Sequence, residues 1–256
     1  MENSVRFLFS GNLGLIPSYK VHWALVIEFG NEISVDINKK IRKMMDDIKK
    51  ENIDGIVELV PTYCSLLINY DVLKIDYNTL VEKLKTFLNN NLETAEGEEV
   101  TLVEIPTLYN DEVGPDLSYV AEHNKISKEE VIKIHTGTDY LVYMLGFMPG
   151  FTYLGGMSEK IATPRLESPR LQIYPGSVGI AGKQTGMYPS MSPGGWRIIG
   201  RTPLKLYNPD SDTPVYISSG DYVRYVSISE EEYNDILKKV ENKLNIRKIK
   251  RGELNA

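Results

Sequence analysis

The chain has 256 residues, enough for one large or two modest domains with a buried core. Its 42% hydrophobic and 25% charged residues are typical of a soluble globular protein, and the net charge of -6 argues against a broad nucleic-acid-binding surface. No apolar run is long enough to cross a membrane and no signal-peptide pattern opens the chain, so we expect a cytoplasmic protein without a membrane segment.

The first 110 residues alternate between strand and helix patterns. Apolar residues at helical spacing predict one helix over 36–51 and a second helix that begins after Asp76, a residue suited to an N-cap. Alternating and apolar runs predict the strands, which are 5–10, 22–30, 56–60, 63–70 and 98–109. The order β-α-β-β-α-β, with an extra strand early on, predicts a ferredoxin-like α/β sandwich as an N-terminal domain over 1–110.

The remaining residues, 111–256, are predicted to form a second domain of a different kind. A helical bridge over 116–124 and a helix opening at Ser127 precede an apolar strand at 138–147. Residues 146–220 hold 12 of the 20 glycines and 9 of the 13 prolines, so we expect many short strands joined by turns of fixed geometry, lining a binding groove.

The end of the chain is predicted to be a helix followed by a loose tail. The helix starts at Ser229 and is expected to bury four apolar side chains, which are Tyr233, Ile236, Leu237 and Val240. The charged residues 245–256 are expected to fray.

Several catalytic motifs can be excluded. None of the three histidines lies at ligand spacing from Cys, Asp or Glu, so no metal site is predicted. The run PGSVG at 175–179 lacks the pattern of a serine-hydrolase elbow. The run GIAGKQTG at 179–186 lacks the Ser or Thr that follows the lysine of a phosphate-binding loop.

A few residues remain as candidates for chemistry. His135 is the best general acid or base, although a histidine at a helix end can also serve as a cap. Arg165 and Arg170, in TPRLESPR, both suit a carboxylate or phosphate, with bonding to loop carbonyls as the equal alternative. Trp196 is either a core residue or a ligand platform. The glycine-rich turns add neutral hydrogen-bonding groups, namely Gln184, Thr185 and Ser192.

The motifs of this segment resemble those of the KipI family, which includes components of bacterial 5-oxoprolinase and of allophanate-hydrolase-like proteins. The matching runs cover about two-thirds of the chain in order and are HTGT from His135, GFMPGFTYLGGM (146–157), PRLESPR (164–170), PGSVGIAGKQTGMYP (175–189) and SPGGWRIIGRTP (192–203). The resemblance implies an N-terminal α/β domain followed by a C-terminal cyclophilin-like β-barrel.

The resemblance also implies an activity and partners. Together with two partners, a KipA-type protein and a LamB/YcsF-type protein, such a chain forms an ATP-dependent 5-oxoprolinase that opens 5-oxo-L-proline to L-glutamate, with ATP as co-substrate. Two alternatives stay open. One is an inhibitor that binds a sporulation histidine kinase and blocks its autophosphorylation, and the other is a carboxyltransferase-type component that acts on urea-like substrates.

The candidate site combines the family pattern with the chemistry of lactam opening. Such a reaction needs a fork for the substrate carboxylate, donors for a developing oxyanion and a proton shuttle. The expected catalytic residues are Arg170 as the fork, Gln184 as a donor and His135 as the shuttle. The expected substrate-binding residues are Phe147, Pro149, Phe151, Ser177, Thr185, Ser192 and Trp196.

Overall fold

The chain divides into two compact units, Met1–Ala95 and Glu96–Ala256. A computed structural model describes residues 6–10, 22–88, 99–238 and 245–255. The elements of the first unit are β1 (Arg6–Ser10), β2 (His22–Glu28), α1 (Val35–Glu51), β3 (Ile56–Pro61), β4 (Ser65–Asp71) and α2 (Tyr77–Leu88).

Both helices of the first unit form where the apolar spacing predicts them. In α1 one stripe is buried, formed by Ile37, Ile41, Met44 and Ile48. The helix ends at Asn52, whose left-handed φ of 48° stops further helical bonding. At the start of α2, the Asp76 carboxylate accepts hydrogen bonds from the backbone N–H groups of Asn78 and Thr79 (3.0 and 3.1 Å), which confirms the predicted N-cap.

The first sheet has the order β1-β2-β4-β3, and every neighbouring pair is antiparallel. Alternate residues of its central strands are buried in one core with the two helices, among them Leu25, Ile27, Leu66 and Ile68. This period of two is the expected pattern for a sheet with one face covered by helices.

The last strand expected for this sheet lies in the second unit. The run predicted at 98–109 forms β5 (Glu99–Thr107), and the edge of the first sheet beside β2 is held by β1 instead. The first unit therefore ends before β5, whereas the sequence placed the division at residue 110. The consecutive residues Leu102 and Val103 are both fully buried, as in a strand covered on both faces, so β5 suits the interior of a larger sheet.

The second unit contains most of the strands. Its elements are β5 (Glu99–Thr107), α3 (Leu117–Asn124), α4 (Lys128–Thr136), β6 (Asp139–Leu145), β7 (Thr152–Gly155), β8 (Arg170–Ile173), β9 (Ser177–Ala181), β10 (Gln184–Met187), β11 (Ser192–Gly194), β12 (Arg197–Arg201), β13 (Tyr222–Ser227), α5 (Glu230–Lys238) and β14 (Asn245–Lys250), with short 3₁₀ turns at Glu159–Ile161 and Arg251–Glu253.

These strands form three sheets in a mixed α/β unit. The sheet orders are β14-β5-β13-β6-β7, β10-β9-β12 and β11-β8. The pair β5–β13 is parallel and the other pairs are antiparallel. The described strands do not close into the barrel that the resemblance implied. In the glycine- and proline-rich segment they are three to five residues long, and register shifts within β11 and β12 make their pairing irregular.

Helix caps in the second unit agree with the sequence, while burial of the last helix does not. Ser127 accepts a hydrogen bond from the Glu130 N–H (3.2 Å), and Ser229 and Glu232 bond each other's backbone N–H groups at 3.2 and 2.8 Å. However, no side chain of α5 is fully buried, and Leu237 is 54% exposed. Val240 lies outside the described residues.

The charged tail is ordered rather than frayed. Strand β14 pairs antiparallel with β5 over six residues and buries Ile249. Beyond it, the Asn255 N–H donates to the Asp139 carboxylate at 2.7 Å, and the Asp139 N–H donates to the Asn255 carbonyl at 2.9 Å. The sequence signal was weak because only two of the six residues in β14 are apolar. None of the helices in the described part of the chain has the length and apolarity that a bilayer span requires.

Candidate functional site

The glycine-rich turns place the predicted site residues by fixing the ends of short strands. Strands β9 and β10 form a hairpin in which Ala181 pairs with Gln184, leaving Gly182 and Lys183 as the turn. Gly182 has a φ of 60°, and glycine at the first position of a two-residue turn is typical of type II′ hairpins. This tight turn places the half-buried Gln184 and the buried Thr185 at the start of β10.

His135, at the end of α4, is fully buried with both ring nitrogens occupied. Its Nδ1 lies 2.8 Å from the Tyr109 hydroxyl, and its Nε2 lies 2.7 Å from the Thr185 hydroxyl. Because the Thr185 hydroxyl donates to the Gly179 carbonyl (3.1 Å), it accepts from Nε2–H, and Nδ1 accepts from Tyr109. The sequence did not identify Tyr109 as the partner of His135.

The surroundings of His135 keep it neutral. Its ring centroid lies 4.5 Å from that of Tyr225 and 5.6 Å from that of Tyr140, whose hydroxyl donates to the His135 carbonyl at 2.7 Å. Burial lowers the pKa of His135 from 6.5 to about 3 and raises the pKa of both tyrosines. A neutral imidazole with no free nitrogen connects α4 to β10. This geometry favours a positioning role over direct proton exchange with a ligand.

Arg170 makes an ion pair inside the protein. Its guanidinium faces the Asp116 carboxylate with two contacts, at 3.0 and 2.9 Å. Asp116 is 5% exposed and also accepts from the Ile198 N–H (2.6 Å), while Arg197 lies 3.7 Å away. The paired geometry that suits a substrate carboxylate is therefore used on a carboxylate of the chain. The alternative role also occurs, since Arg170 donates to the Trp196 carbonyl at 3.4 Å.

Asp116 is the residue that the sequence analysis missed here. It stands directly before α3, where an acidic residue normally suggests only a helix cap. No local pattern connects it to Arg170, which lies 54 residues further along the chain.

A cluster of aromatic rings brings three of the predicted substrate-binding residues together. The Phe151 ring makes edge-to-face contacts with Trp196, Tyr188, Tyr153 and Phe147 at centroid distances between 5.3 and 5.7 Å. Phe151 and Trp196 are buried, whereas Phe147 is 66% exposed and the neighbouring Pro149 is also exposed. Trp196 is thus a core residue, and Phe147 is the ring that a ligand or another protein can reach.

The backbone at Phe147 is strained. The Met148 N–H donates to the Gly146 carbonyl at 2.7 Å, which closes a three-residue γ-turn around Phe147. Phe147 has a φ of 65°, a conformation that a bulky residue rarely adopts. Strain of this kind persists where the surrounding structure enforces it and is concentrated at functional sites.

The two serines lie on separate strands. Ser177 is buried at the start of β9 and its backbone is paired with Tyr174 and Tyr188. Ser192, on β11, has a buried hydroxyl without a hydrogen-bond partner among the described residues.

Strand β10 contacts both His135 and the aromatic cluster. A Cβ added at Gly186 would lie 3.1 Å from the Trp196 ring, and the preceding residue, Thr185, bonds His135. The structure therefore brings His135 and Thr185 together on one side of β10, with the aromatic cluster on the other.

The described residues of this region form no metal cluster. In the described part of the chain, no group of three or more His, Cys, Asp or Glu side chains is placed to hold a metal ion. Two open cavities lie in the first unit. The larger one, of about 570 Å³, is lined by residues of the segments 52–57 and 71–74. Neither cavity contains a predicted site residue.

The described fold and motifs are those of a carboxyltransferase-type domain. Residues 21–217 match the family model "Carboxyltransferase domain, subdomain C and D", and the chain belongs to this family. It is 45% identical over 220 residues to the 5-oxoprolinase B subunit of Bacillus subtilis, covering 82% of this chain and 92% of that relative.

Solved structures agree with this assignment. TTHA0988 superimposes with a TM-score of 0.72 at 32% identity, covering 82% of this chain and 40% of that longer chain. Kluyveromyces lactis urea carboxylase shares the fold, with a TM-score of 0.71 at 20% identity, over 90% of this chain and 24% of the enzyme.

Proposed function

We propose that this chain is the B subunit of a cytoplasmic, ATP-dependent 5-oxoprolinase, which opens 5-oxo-L-proline to L-glutamate with ATP as co-substrate. The observation that carries the proposal is the 45% identity to the 5-oxoprolinase B subunit of Bacillus subtilis, which extends over nearly the whole of that relative. The proposed partners are a KipA-type protein and a LamB/YcsF-type protein.

The geometry supports a division of roles within the proposed site. A lactam carbonyl is a poor electrophile, so the proposed reaction activates it with ATP. This activation requires that the lactam be held close to hydrogen-bond donors. Gln184, directly after a tight turn, is the proposed donor, with Ser192 and the exposed Phe147 and Pro149 as ligand contacts, while the buried Ser177 supports the start of β9. The buried residues have supporting roles, with His135 and Thr185 positioning β10, Phe151 and Trp196 forming the aromatic base, and Arg170 holding Asp116.

The finer fold assignment belongs to the same proposal. We propose that the first unit is a variant of the ferredoxin-like sandwich in which β1 takes the edge position beside β2. We also propose that the second unit is an open, cyclophilin-like arrangement of sheets.

A second candidate is carboxyl transfer to urea-like substrates. It is favoured by the carboxyltransferase family model and by the shared fold of Kluyveromyces lactis urea carboxylase. It predicts transfer of a carboxyl group from carboxybiotin to urea.

Reconstitution tests both candidates. The chain is purified with the two proposed partner proteins, and glutamate release from 5-oxoproline is measured with ATP. We expect turnover in the full mixture, none when the chain is omitted, and none with Gln184→Ala. The matched control Lys85→Ala, on the exposed side of α2, should retain full activity. Turnover that persists without the chain would refute the proposal, and biotin-dependent carboxylation of urea would support the second candidate.

A further inference from the structure

Arg165 lies beside the aromatic cluster on a segment fixed by the backbone. The Leu166 N–H donates to the Gly195 carbonyl at 2.7 Å, and Arg197 Nε donates to the Pro164 carbonyl at 3.2 Å. These bonds hold the segment against the loop that precedes β12. The Arg165 guanidinium carbon consequently lies 5.9 Å from the centroid of the Trp196 ring.

Two neighbouring guanidinium groups share one buried carboxylate close to this segment. Asp116 faces both Arg170 and Arg197, at 2.9 and 3.7 Å, so a single carboxylate serves two guanidinium groups. Burial raises the pKa of Tyr188 to about 12. The positive charges of Arg165 and Arg170 oppose this effect, because both lie close to Tyr188. Asp116 is therefore already shared by Arg170 and Arg197, and no contact places it against Arg165.

Arg165 differs from its two neighbours because its donors are available. It is exposed and makes no ion pair or side-chain hydrogen bond with any described residue, while Arg170 and Arg197 are both engaged. The guanidinium carbon approaches the Trp196 ring at 5.9 Å from its centroid, and no N–H group of Arg165 is paired with a described residue, so these donors can bind a planar anion.

We propose that Arg165, rather than Arg170, binds the carboxylate of a small cyclic substrate. The inference rests on the proposed function, in which that substrate is 5-oxoproline. Arg170 is a positioning residue that joins β8 to Asp116, directly before α3, and to the Trp196 carbonyl, directly before β12. The exposed Phe147 ring, which contacts Phe151, belongs to the same aromatic cluster.

The test compares Arg165→Gln with Arg165→Lys and with the control Arg247→Gln, a half-exposed arginine of β14. In the reconstituted complex, Arg165→Gln should raise the KM for 5-oxoproline about 10- to 100-fold, the range of a hydrogen bond to a charged group, with kcat changed less than about threefold. Arg165→Lys should lie between wild type and Arg165→Gln, because it keeps the charge and loses the paired donors. Arg247→Gln should match wild type.

A compound that has the lactam ring but lacks the carboxylate distinguishes loss of carboxylate binding from general damage to the site. Wild type and Arg165→Gln should bind 2-pyrrolidinone equally weakly. An unchanged KM for 5-oxoproline in Arg165→Gln would overturn the assignment while leaving the proposed function intact.

If the complex does not hydrolyse 5-oxoproline, the proposed function is refuted. The inference about Arg165 can still be tested, because binding of 5-oxoproline can be measured directly. Titration of the isolated full chain with 5-oxoproline, followed by NMR, should then show binding that Arg165→Gln weakens at least about tenfold. Equal binding by wild type and variant, or none by either, would overturn the anion site.

Discussion

Replacing His135 with glutamine removes the one described histidine whose pKa burial lowers strongly. Glutamine retains an acceptor and a donor for Tyr109 and Thr185 but does not titrate in this range. The variant is expected to lose some stability at every pH because the fit is imperfect. The informative quantity is the dependence of the free energy of unfolding on pH.

The sign and size of that dependence follow from the pKa of His135. In the folded state the pKa is about 3, while in the unfolded chain it returns to 6.5. Below pH 6.5 the unfolded chain therefore binds a proton that the folded protein does not, so stability is lost as the pH falls and the loss stops near pH 3. Between pH 7.5 and pH 5 this linkage removes about 2 kcal/mol.

Urea unfolding at pH 7.5 and pH 5 measures the effect. Wild type should lose about 2 kcal/mol between the two values, and His135→Gln should lose less than about 0.5 kcal/mol. The control His123→Gln alters an α3 histidine that stacks on Tyr119 and should keep the wild-type dependence. An equal loss in wild type and His135→Gln would refute the view that His135 is buried in its neutral form.

Three further substitutions test the packing by urea unfolding. Asp116→Asn should cost about 3 kcal/mol because the buried carboxylate compensates two partly buried guanidinium groups, while the exposed Asp111→Asn should cost less than about 1 kcal/mol. Similar values for the two would contradict the ion-pair geometry. Phe147→Gly should be about 1 kcal/mol more stable than Phe147→Ala, the reverse of the usual order, because alanine resists the φ of 65°; a more stable alanine variant would rule out the γ-turn. Ile249→Ala should cost about 2–3 kcal/mol and Ile246→Ala less than about 1 kcal/mol, since only the first is buried; a neutral Ile249→Ala would mean that β14 does not pair with β5.

The elements that the sequence predicted well depend on residues close together in the chain. The caps at Asp76, Ser127 and Ser229 each join a side chain to a backbone N–H two or three residues away, so the motif alone contains the interaction. The buried stripe of α1 is equally local, because it repeats at the helical period. The family motifs also identified the segment that holds the aromatic cluster.

Interactions between distant residues were not readable in the same way. Thr185 bonds a histidine 50 residues earlier, and Arg170 pairs with a carboxylate 54 residues earlier. Such pairs depend on how strands are ordered and registered, and short apolar runs do not specify their neighbours. For the same reason the sequence assigned β5 to the first unit and treated β14 as a loose tail.

The amino-acid sequence by itself determined the local helices, the turn-rich character of the second unit and the family to which the chain belongs. Only the tertiary structure decided which polar groups are available to a ligand. Burial neutralises His135 and a buried carboxylate engages Arg170, while Arg165 makes no ion pair or side-chain hydrogen bond within the described part of the chain. The physical reason is that the charge state and the hydrogen-bonding capacity of a side chain depend on solvent access and on partners that folding brings from elsewhere in the chain.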